Sequence, residues 1–142
     1  MSVFVVDASL VVKWFVPEID AEAARQWLET SHDYVAPDLL FAEIGNVVWK
    51  KVQRKELSES EARQLVTDLP RLAVETVATR SLLQDALAVA LTAGITAYDA
   101  MYLTLAVRLE TQVITGDRRF VHKVARHQPL AGHIRSLQHF VE

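Results

Sequence analysis

The chain has 142 residues, of which 51% are apolar and 23% are charged, and its formal net charge is −3. This length and balance predict one folded domain with a buried core, and they exclude a chain that is disordered as a whole. The absence of cysteine excludes disulfide frameworks, thiolate metal sites and cysteine nucleophiles.

Hydrophobic patterning divides the chain into short apolar strands and longer amphipathic helices. In chain order, we predict a strand at 3–6, helices at 10–16 and 21–30, a strand at 34–36, helices at 38–55 and 58–69, a strand at 74–77, helices at 79–93 and 96–110, a strand at 112–115, a helix at 117–127 and a strand at 133–137. Strands that alternate with helices indicate an α/β fold with a mainly parallel sheet.

Several residues predict where the helices begin or end. Asp20 is placed to cap the helix at 21–30. Ser58 and Glu61 have the spacing of a capping box, in which each side chain binds the other residue's backbone N–H. Gly94 is a typical stop for the helix at 79–93, because glycine tolerates the left-handed conformation that ends many helices.

The hydropathy of the chain argues against a membrane protein. The longest stretch without a charged residue, 86–98, falls short of the roughly 20 apolar residues that a spanning helix needs. The opening segment MSVFVVD has no basic residue before its apolar ones, unlike a signal peptide. We expect a soluble, cytoplasmic protein with no membrane partner, in which any binding of nucleic acid depends on a local basic patch.

Four carboxylates occupy positions that suit a shared site. Asp7 directly follows the first strand, and Asp117 follows the strand at 112–115. Functional crevices of open α/β sheets lie at the carboxyl ends of the strands, so these two acids share a cleft if their strands are neighbours. Glu43 and Asp99 each interrupt the apolar side of a helix, where a lone carboxylate is costly unless something compensates it.

Each acid also has a purely structural interpretation. Asp7 and Asp117 stand where aspartate commonly caps a following helix. Asp99 can close a variant capping box with Thr96, and Glu43 can pair with a buried arginine. The spacing of the acids leaves both interpretations open.

The chemistry of clustered acids favours a shared cation. Four ionised carboxylates in one pocket repel each other, so the cluster requires either protonation or a bound cation. Oxygen ligands without cysteine or a histidine pair favour Mg²⁺ or Mn²⁺ over zinc. Acidic clusters that hold one or two such ions occur in enzymes that cut phosphodiesters, where the metal activates water and stabilises the leaving oxygen.

The sequence resembles the PIN-domain ribonucleases, and its size and N-terminal pattern are most similar to the VapC toxins of type II toxin–antitoxin pairs. The resemblance is carried by VVDASLVVKWF, PDLLFAEIGNVVW, ITAYDAMYLTLA and VITGDRRF, which occur in this order over residues 3–120. It implies a three-layer α/β/α sandwich around a five-stranded sheet in the order 3-2-1-4-5.

The resemblance also implies roles for particular residues. Asp7, Glu43, Asp99 and Asp117 would be the catalytic residues and would hold one or two Mg²⁺ or Mn²⁺ ions, directly or through water. The supporting residues would be Ser9 and Thr115, which supply hydroxyl groups, and Asn46, which can add a polar contact or serve a helix–helix hydrogen bond.

The activity that this implies is metal-dependent endonucleolytic hydrolysis of RNA, with tRNA or rRNA as the substrate class. Phosphates away from the metal need positive charge. Arg118, Arg119 and Lys13 are the candidates for contacting RNA, with a solvated helix face as the alternative. The cationic run at 50–55 is assigned instead to the end of its helix, where it suits the helix dipole.

By the same resemblance, the partners would be a cognate antitoxin protein and a second copy of the chain. The antitoxin groove would involve the helices within residues 21–30 and 38–69. The alternatives are a catalytically silent PIN-like binding module and a structure-specific DNA nuclease. A haloacid-dehalogenase-type phosphatase is disfavoured, because Asp7-Ala8-Ser9 lacks the second aspartate of its D-x-D motif.

Overall fold

A computed structural model of the chain describes residues 2–140. The strands in this part of the chain are β1 Val3–Val6, β2 Asp33–Pro37, β3 Val74–Val77, β4 Val113–Thr115 and β5 Ile134–Ser136. The α-helices are α1 Ala8–Phe15, α2 Ala21–Leu28, α3 Leu39–Gln53, α4 Glu59–Asp68, α5 Thr79–Ala93, α6 Ala97–Arg108 and α7 Arg118–Val124. Two 3₁₀ helices lie at Leu69–Arg71 and Leu130–His133.

The five strands form one parallel sheet in the order β3-β2-β1-β4-β5. This confirms the expected α/β fold class and the expected strand order. Successive side chains of a strand point to opposite faces of the sheet. Val5 and Val6 of the central strand β1 are both fully buried, as is every residue of β4, so the middle of the sheet is covered on both faces.

The predicted helix ends differ in how well they match the structure. The capping box of Ser58 and Glu61 is complete, with both N–H···O distances at 3.0 Å. Gly94 ends α5 in the left-handed conformation, at φ 69°. Asp20 occupies the predicted N-cap position of α2, but the side-chain cap expected there does not form: its backbone is left-handed, and its carboxylate accepts a hydrogen bond from Gln138 Nε2 at 2.9 Å.

The helix α1 begins two residues earlier than predicted. The carboxylate of Asp7 accepts a hydrogen bond from the backbone N–H of Leu10, which satisfies one of the free donors of the first turn. The helix therefore starts directly after β1, and Ser9 lies in its first turn.

The register of the sheet determines where the acids meet. Val6 at the end of β1 is paired with Ile114 in β4, so Asp7 and the segment that follows β4 lie at the same edge of the sheet. The helix α3 packs against α1, and α6 packs against β1, β2 and β4. These contacts carry the two helix-borne acids to that edge.

Among residues 2–140, no single helix combines the length and the apolar composition needed to cross a membrane. The consecutive helices Thr79–Ala93 and Ala97–Arg108 meet the test together but are bent by 109°.

Candidate active site

A cavity of about 620 Å³ opens where β1 and β4 end, and we call it the acid cavity. Its lining includes most of the residues predicted for the site: Asp7, Ser9, Lys13, Glu43, Asn46, Asp99 and Asp117. Thr115 is fully buried and hydrogen bonded to Asp7. Arg118 and Arg119 are exposed in the first turn of α7, outside this lining.

Asp7 is the most deeply buried of the four acids and is held by short hydrogen bonds. Its Oδ1 accepts from the hydroxyl of Ser9 at 2.6 Å and from the N–H of Leu10 at 3.1 Å. Its Oδ2 accepts from the hydroxyl of Thr115 at 2.5 Å. Burial raises the pKa of Asp7 to about 6, although these hydrogen bonds favour the ionised form.

The same two hydroxyl groups join the ends of β1 and β4. Ser9 Oγ accepts from the N–H of Gly116 at 2.9 Å, and Thr115 Oγ1 accepts from the N–H of Asp117 at 3.0 Å. The two hydroxyl oxygens are 3.2 Å apart. Ser9 and Thr115 thus connect the backbone at the end of β4 to the carboxylate at the end of β1.

Asp117 caps α7 and still faces the acid cavity. Its Oδ1 accepts from the N–H groups of Arg119 and Phe120 at 3.0 and 3.2 Å. No group within residues 2–140 donates to its second oxygen. The hydrogen bonds therefore confirm that Asp7 and Asp117 cap the helices that follow them. In both residues, capping is compatible with a role in the cavity.

Glu43 reaches the cavity from α3 and is paired with a tyrosine instead of the arginine considered above. The hydroxyl of Tyr102 on α6 donates to Glu43 Oε1 at 2.6 Å. Tyr102 is almost fully buried, whereas Glu43 is half-buried. Burial raises the pKa of Glu43, and the hydrogen bond from Tyr102 opposes that shift.

Asp99 enters the cavity from the first turn of α6. Its backbone N–H donates to Thr96 Oγ1 at 3.1 Å, so Thr96 caps the helix. In the described part of the chain no group donates to the Asp99 carboxylate, so the return bond of a capping box is missing. The side chain is directed to the cavity and is not used for capping.

The electrostatics of Asp99 indicate that the acids act on one another. Burial first, and then the negative charges of Asp117, Asp7 and Glu43, raise its pKa to about 7, while the charge of Lys123 opposes this shift. Like charges shift a carboxyl pKa in this way when they lie within several ångströms of each other. A cation among these carboxylates would remove the repulsion.

The donor set fits a hydrated hard cation. Among residues 2–140, no three imidazole, thiolate or carboxylate groups converge closely enough to form an assembled metal site. Mg²⁺ commonly keeps several waters and takes one or two carboxylates directly, so it does not require three converged ligands. The oxygen donors of Asp7, Glu43, Asp99 and Asp117 around one solvent-filled cavity suit such an ion.

Sequence reasoning missed several residues of the cavity wall. These are Glu18, Lys50, Lys51, Tyr98 and Tyr102. Assigning the cationic run to the helix dipole alone was incomplete, because Lys50 and Lys51 face the cavity. Tyr102 had a local signal, since it lies three residues after Asp99 and therefore on the same side of the helix.

The sequence is similar to those of known proteins. Residues 4–126 match the PIN domain family. The chain is 34% identical over 121 residues to Ribonuclease VapC3 of Pyrobaculum aerophilum, an alignment that covers 84% of this chain and 92% of the relative. It is 32% identical over 115 residues to Ribonuclease VapC1 of Mycobacterium tuberculosis, covering 81% and 86% of the two chains.

The fold also matches a solved structure. The crystal structure of PAE2754 from Pyrobaculum aerophilum superposes with a TM-score of 0.65 at 21% sequence identity. The match covers 95% of this chain and 83% of the other.

Proposed function

Because the chain belongs to the PIN-domain family and, within it, to the VapC ribonucleases, we propose that it is a toxin that hydrolyses RNA in the acid cavity with Mg²⁺ or Mn²⁺. The substrate class that we propose is structured RNA, tRNA or rRNA. The observation that carries the proposal is that four carboxylates, from two strand ends and two helices, line one cavity, where the charges of the other three raise the pKa of Asp99.

In the proposed mechanism, the four acids of the cavity bind the metal. One or two ions would be held, directly or through water, by Asp7, Glu43, Asp99 and Asp117. Such an ion supplies a Lewis acid that lowers the pKa of the attacking water and stabilises the charge on the leaving oxygen.

The other polar residues of the cavity position these acids. Ser9 and Thr115 fix both oxygens of Asp7, and the two N–H groups at the start of α7 fix one oxygen of Asp117. Tyr102 fixes one oxygen of Glu43. Asn46, exposed one turn after Glu43, is available to hydrogen bond to the substrate.

Positive charge beside the cavity supports RNA as the substrate. Arg118 and Arg119 are exposed next to Asp117, where they can contact phosphates that flank the scissile bond. Lys13 lines the cavity, but its ammonium group is already bound to Glu18. We therefore assign the flanking contacts first to the two arginines.

We propose a cognate antitoxin as the protein partner of this toxin. A groove of about 770 Å³ lies between α3 and α4, within the region 38–69. Its lining combines apolar side chains, among them the exposed Trp49 and Val66, with polar ones such as Glu59 and Arg63. An exposed groove with both kinds of side chain suits an amphipathic segment of a partner.

We also propose that the chain forms one PIN-like domain over residues 1–142 and pairs as a homodimer. The single continuous sheet supports the first statement. Leu83, Leu87 and Leu91 form an exposed stripe along α5 and support the second, because contiguous apolar surface commonly marks an interface.

Incubation of the purified protein with total tRNA and rRNA tests the proposed activity. We expect cleavage with Mg²⁺ or Mn²⁺, none with EDTA, and a loss of at least about 100-fold in rate for Asp7→Asn. Asp33→Asn is the matched control, because Asp33 is exposed at the opposite end of the parallel sheet. It should cut like the unsubstituted protein.

The same assay separates the alternatives. Intact, folded protein that cuts no RNA with either metal would favour the catalytically silent module. Cleavage of branched or flapped DNA in place of RNA would favour the structure-specific DNA nuclease.

A further inference from the structure

Two lysines and a glutamate form a cluster in the wall of the acid cavity. Lys13 Nζ donates to Glu18 Oε1 at 3.1 Å and to the carbonyl oxygen of Ile19 at 3.0 Å. Lys51 Nζ donates to the other carboxylate oxygen, Glu18 Oε2. One carboxylate on the loop between α1 and α2 thus holds ammonium groups from α1 and α3.

We propose that Lys13 and Lys51 form a subsite for a substrate phosphate, and that Glu18 competes with this phosphate for the two ammonium groups. The inference rests on the proposed function, because it assigns to these residues a phosphate of the RNA that is cut. In the protein without RNA, Glu18 holds the lysines together.

The cluster adjoins the acids closely enough to contact the same RNA. A Cβ atom at Gly116 would lie 2.9 Å from Lys13 Cε and 3.5 Å from Ser9 Oγ. The stem of Lys13 therefore passes over Gly116, the residue before Asp117, and close to Ser9. Lys13 lines the same cavity as Asp7 and Asp117, so a phosphate next to the scissile one is the natural ligand for its ammonium group.

Burial makes the two lysines dependent on an anion. The side chains of Lys13 and Lys51 are 10% and 14% exposed, whereas that of Glu18 is 23% exposed. Buried charges are costly unless they are paired. Glu18 is the most exposed of the three and lies on a loop, so it is the member best placed to move when another anion arrives.

The chemistry of the cluster matches a phosphodiester. A carboxylate and a phosphodiester both present two anionic oxygens to charged N–H donors. Within the lining, the two ammonium groups share the single carboxylate of Glu18. Lys51 also lies 3.6 Å from Glu56, which is half-exposed and lies outside the lining.

A purely structural ion cluster would behave differently from a phosphate subsite. A structural cluster would only fix the loop to α1 and α3, so changing it would alter stability and leave RNA binding unaffected. If Glu18 and a phosphate compete for the two lysines, the lysine variants and the glutamate variant should have opposite effects on RNA binding.

Steady-state cleavage of a tRNA or rRNA substrate in Mg²⁺ separates these cases through KM and kcat. For Lys51→Met we expect KM to rise roughly 3–10-fold, with kcat little changed and with a salt slope that is smaller by about 1. For Glu18→Gln we expect KM to fall roughly 2–5-fold, because the competing charge is gone while the shape is kept.

Two further variants serve as controls. Lys55→Met removes the same charge from an exposed position at the end of α3, outside the cavity, and should leave KM within about 2-fold of the unsubstituted value. Lys51→Arg keeps the charge and should retain most of the affinity. Thermal unfolding of each variant checks that the fold is intact.

The outcomes distinguish this inference from the proposed function. Folded variants that all share the KM of the unsubstituted protein, or a Glu18→Gln variant with a raised KM, would overturn the phosphate subsite while cleavage itself stands. Unsubstituted protein that neither binds nor cuts the RNA would overturn both.

Discussion

The acids at the strand ends and the acids on the helices are held in different ways. Asp7 and Asp117 follow β1 and β4, and together they receive hydrogen bonds from two hydroxyl groups and three backbone N–H groups. Glu43 and Asp99 together receive one, from Tyr102, among the described residues. Asp7 and Asp117 thus form a preorganised half of the cavity, which we call the strand half. Glu43 and Asp99 form the helix half, which is held by the packing of the helices.

This difference shows which acids of the cavity are most affected by the repulsion between their negative charges. Hydrogen bonds to Asp7 favour its ionised form and partly offset burial, so its pKa rises only to about 6. Asp99 has no such donors within residues 2–140, and its pKa rises to about 7. The helix half therefore gains more from a cation than the strand half does.

The largest expected effect is on the stability of the metal-free protein as a function of pH. The folded pKa of Asp7, about 6, lies above its ordinary value of 3.8, so the folded state binds a proton that the unfolded state releases. The contribution of Asp7 to stability is therefore fully present below about pH 4 and is lost as the pH rises from there through about 6. For Asp7 alone the loss is about 2–3 kcal/mol at pH 8.

Urea unfolding in EDTA at pH 4, 5 and 8 measures this effect. The Asp7→Asn variant should lack most of the loss of stability that occurs below about pH 6. The Asp99→Asn variant should lack the loss of stability that occurs near pH 7. Saturating Mg²⁺ at pH 8 should restore stability to the unsubstituted protein. A metal-free protein that is less stable at pH 5 than at pH 8 would contradict this account.

The two halves also differ in what the sequence could predict. The strand half could be predicted in part from contacts a few residues apart, such as Asp7 with Ser9 and with Leu10, and from the rule that crevices lie at the carboxyl ends of parallel strands. Its hydrogen bond between Thr115 and Asp7 spans 108 residues and follows from the pairing of β1 with β4. Local signals of the same kind located every strand and every α-helix among residues 2–140, including the glycine stop at Gly94, but neither of the two 3₁₀ helices.

The rest of the cavity depends on how the helices pack. Tyr102 and Glu43 are 59 residues apart, and Lys51 and Glu18 are 33 apart, so no local pattern pairs them. The failed cap at Asp20 has the same cause, because its carboxylate binds Gln138, 118 residues away. Propensity identifies a side chain that can make a contact, but tertiary structure determines which contact it makes.

The next effect concerns the hydroxyl groups of the strand half. Thr115→Val leaves one oxygen of Asp7 without its donor and the N–H of Asp117 without its acceptor. The free energy of unfolding should fall by about 1–3 kcal/mol, because both groups are buried or partly buried. Urea unfolding of the metal-free protein at neutral pH measures the change.

Thr104→Val is the matched control for this substitution. Thr104 is also buried, and its hydroxyl has no hydrogen-bond partner among residues 2–140. Replacing it with an apolar group of similar shape should change the unfolding free energy by less than about 0.5 kcal/mol, or should stabilise the protein. Equal losses for the two variants would mean that the network around Asp7 adds nothing specific.

The smallest expected effect belongs to the helix half, where one hydrogen bond orients Glu43. Tyr102→Phe removes the donor to Glu43 Oε1 and leaves the buried ring in place. Half-buried Glu43 can then hydrate, so the stability loss should stay below about 1 kcal/mol. An unoriented carboxylate binds a cation less well, so the Mg²⁺ concentration for half-maximal cleavage should rise roughly 10-fold.

Tyr98→Phe tests whether that shift comes from the hydrogen bond or from the loss of any cavity hydroxyl. Tyr98 lines the same cavity but is 60% exposed, and no hydrogen bond to its hydroxyl occurs in the part of the chain that the structure describes. Its Mg²⁺ requirement should stay within about 2-fold of the unsubstituted value. Equal shifts in both variants would place the effect in the polarity of the cavity. A shift confined to Tyr102→Phe would place it in the orientation of Glu43, and the helix half would then depend on a single contact where the strand half depends on several.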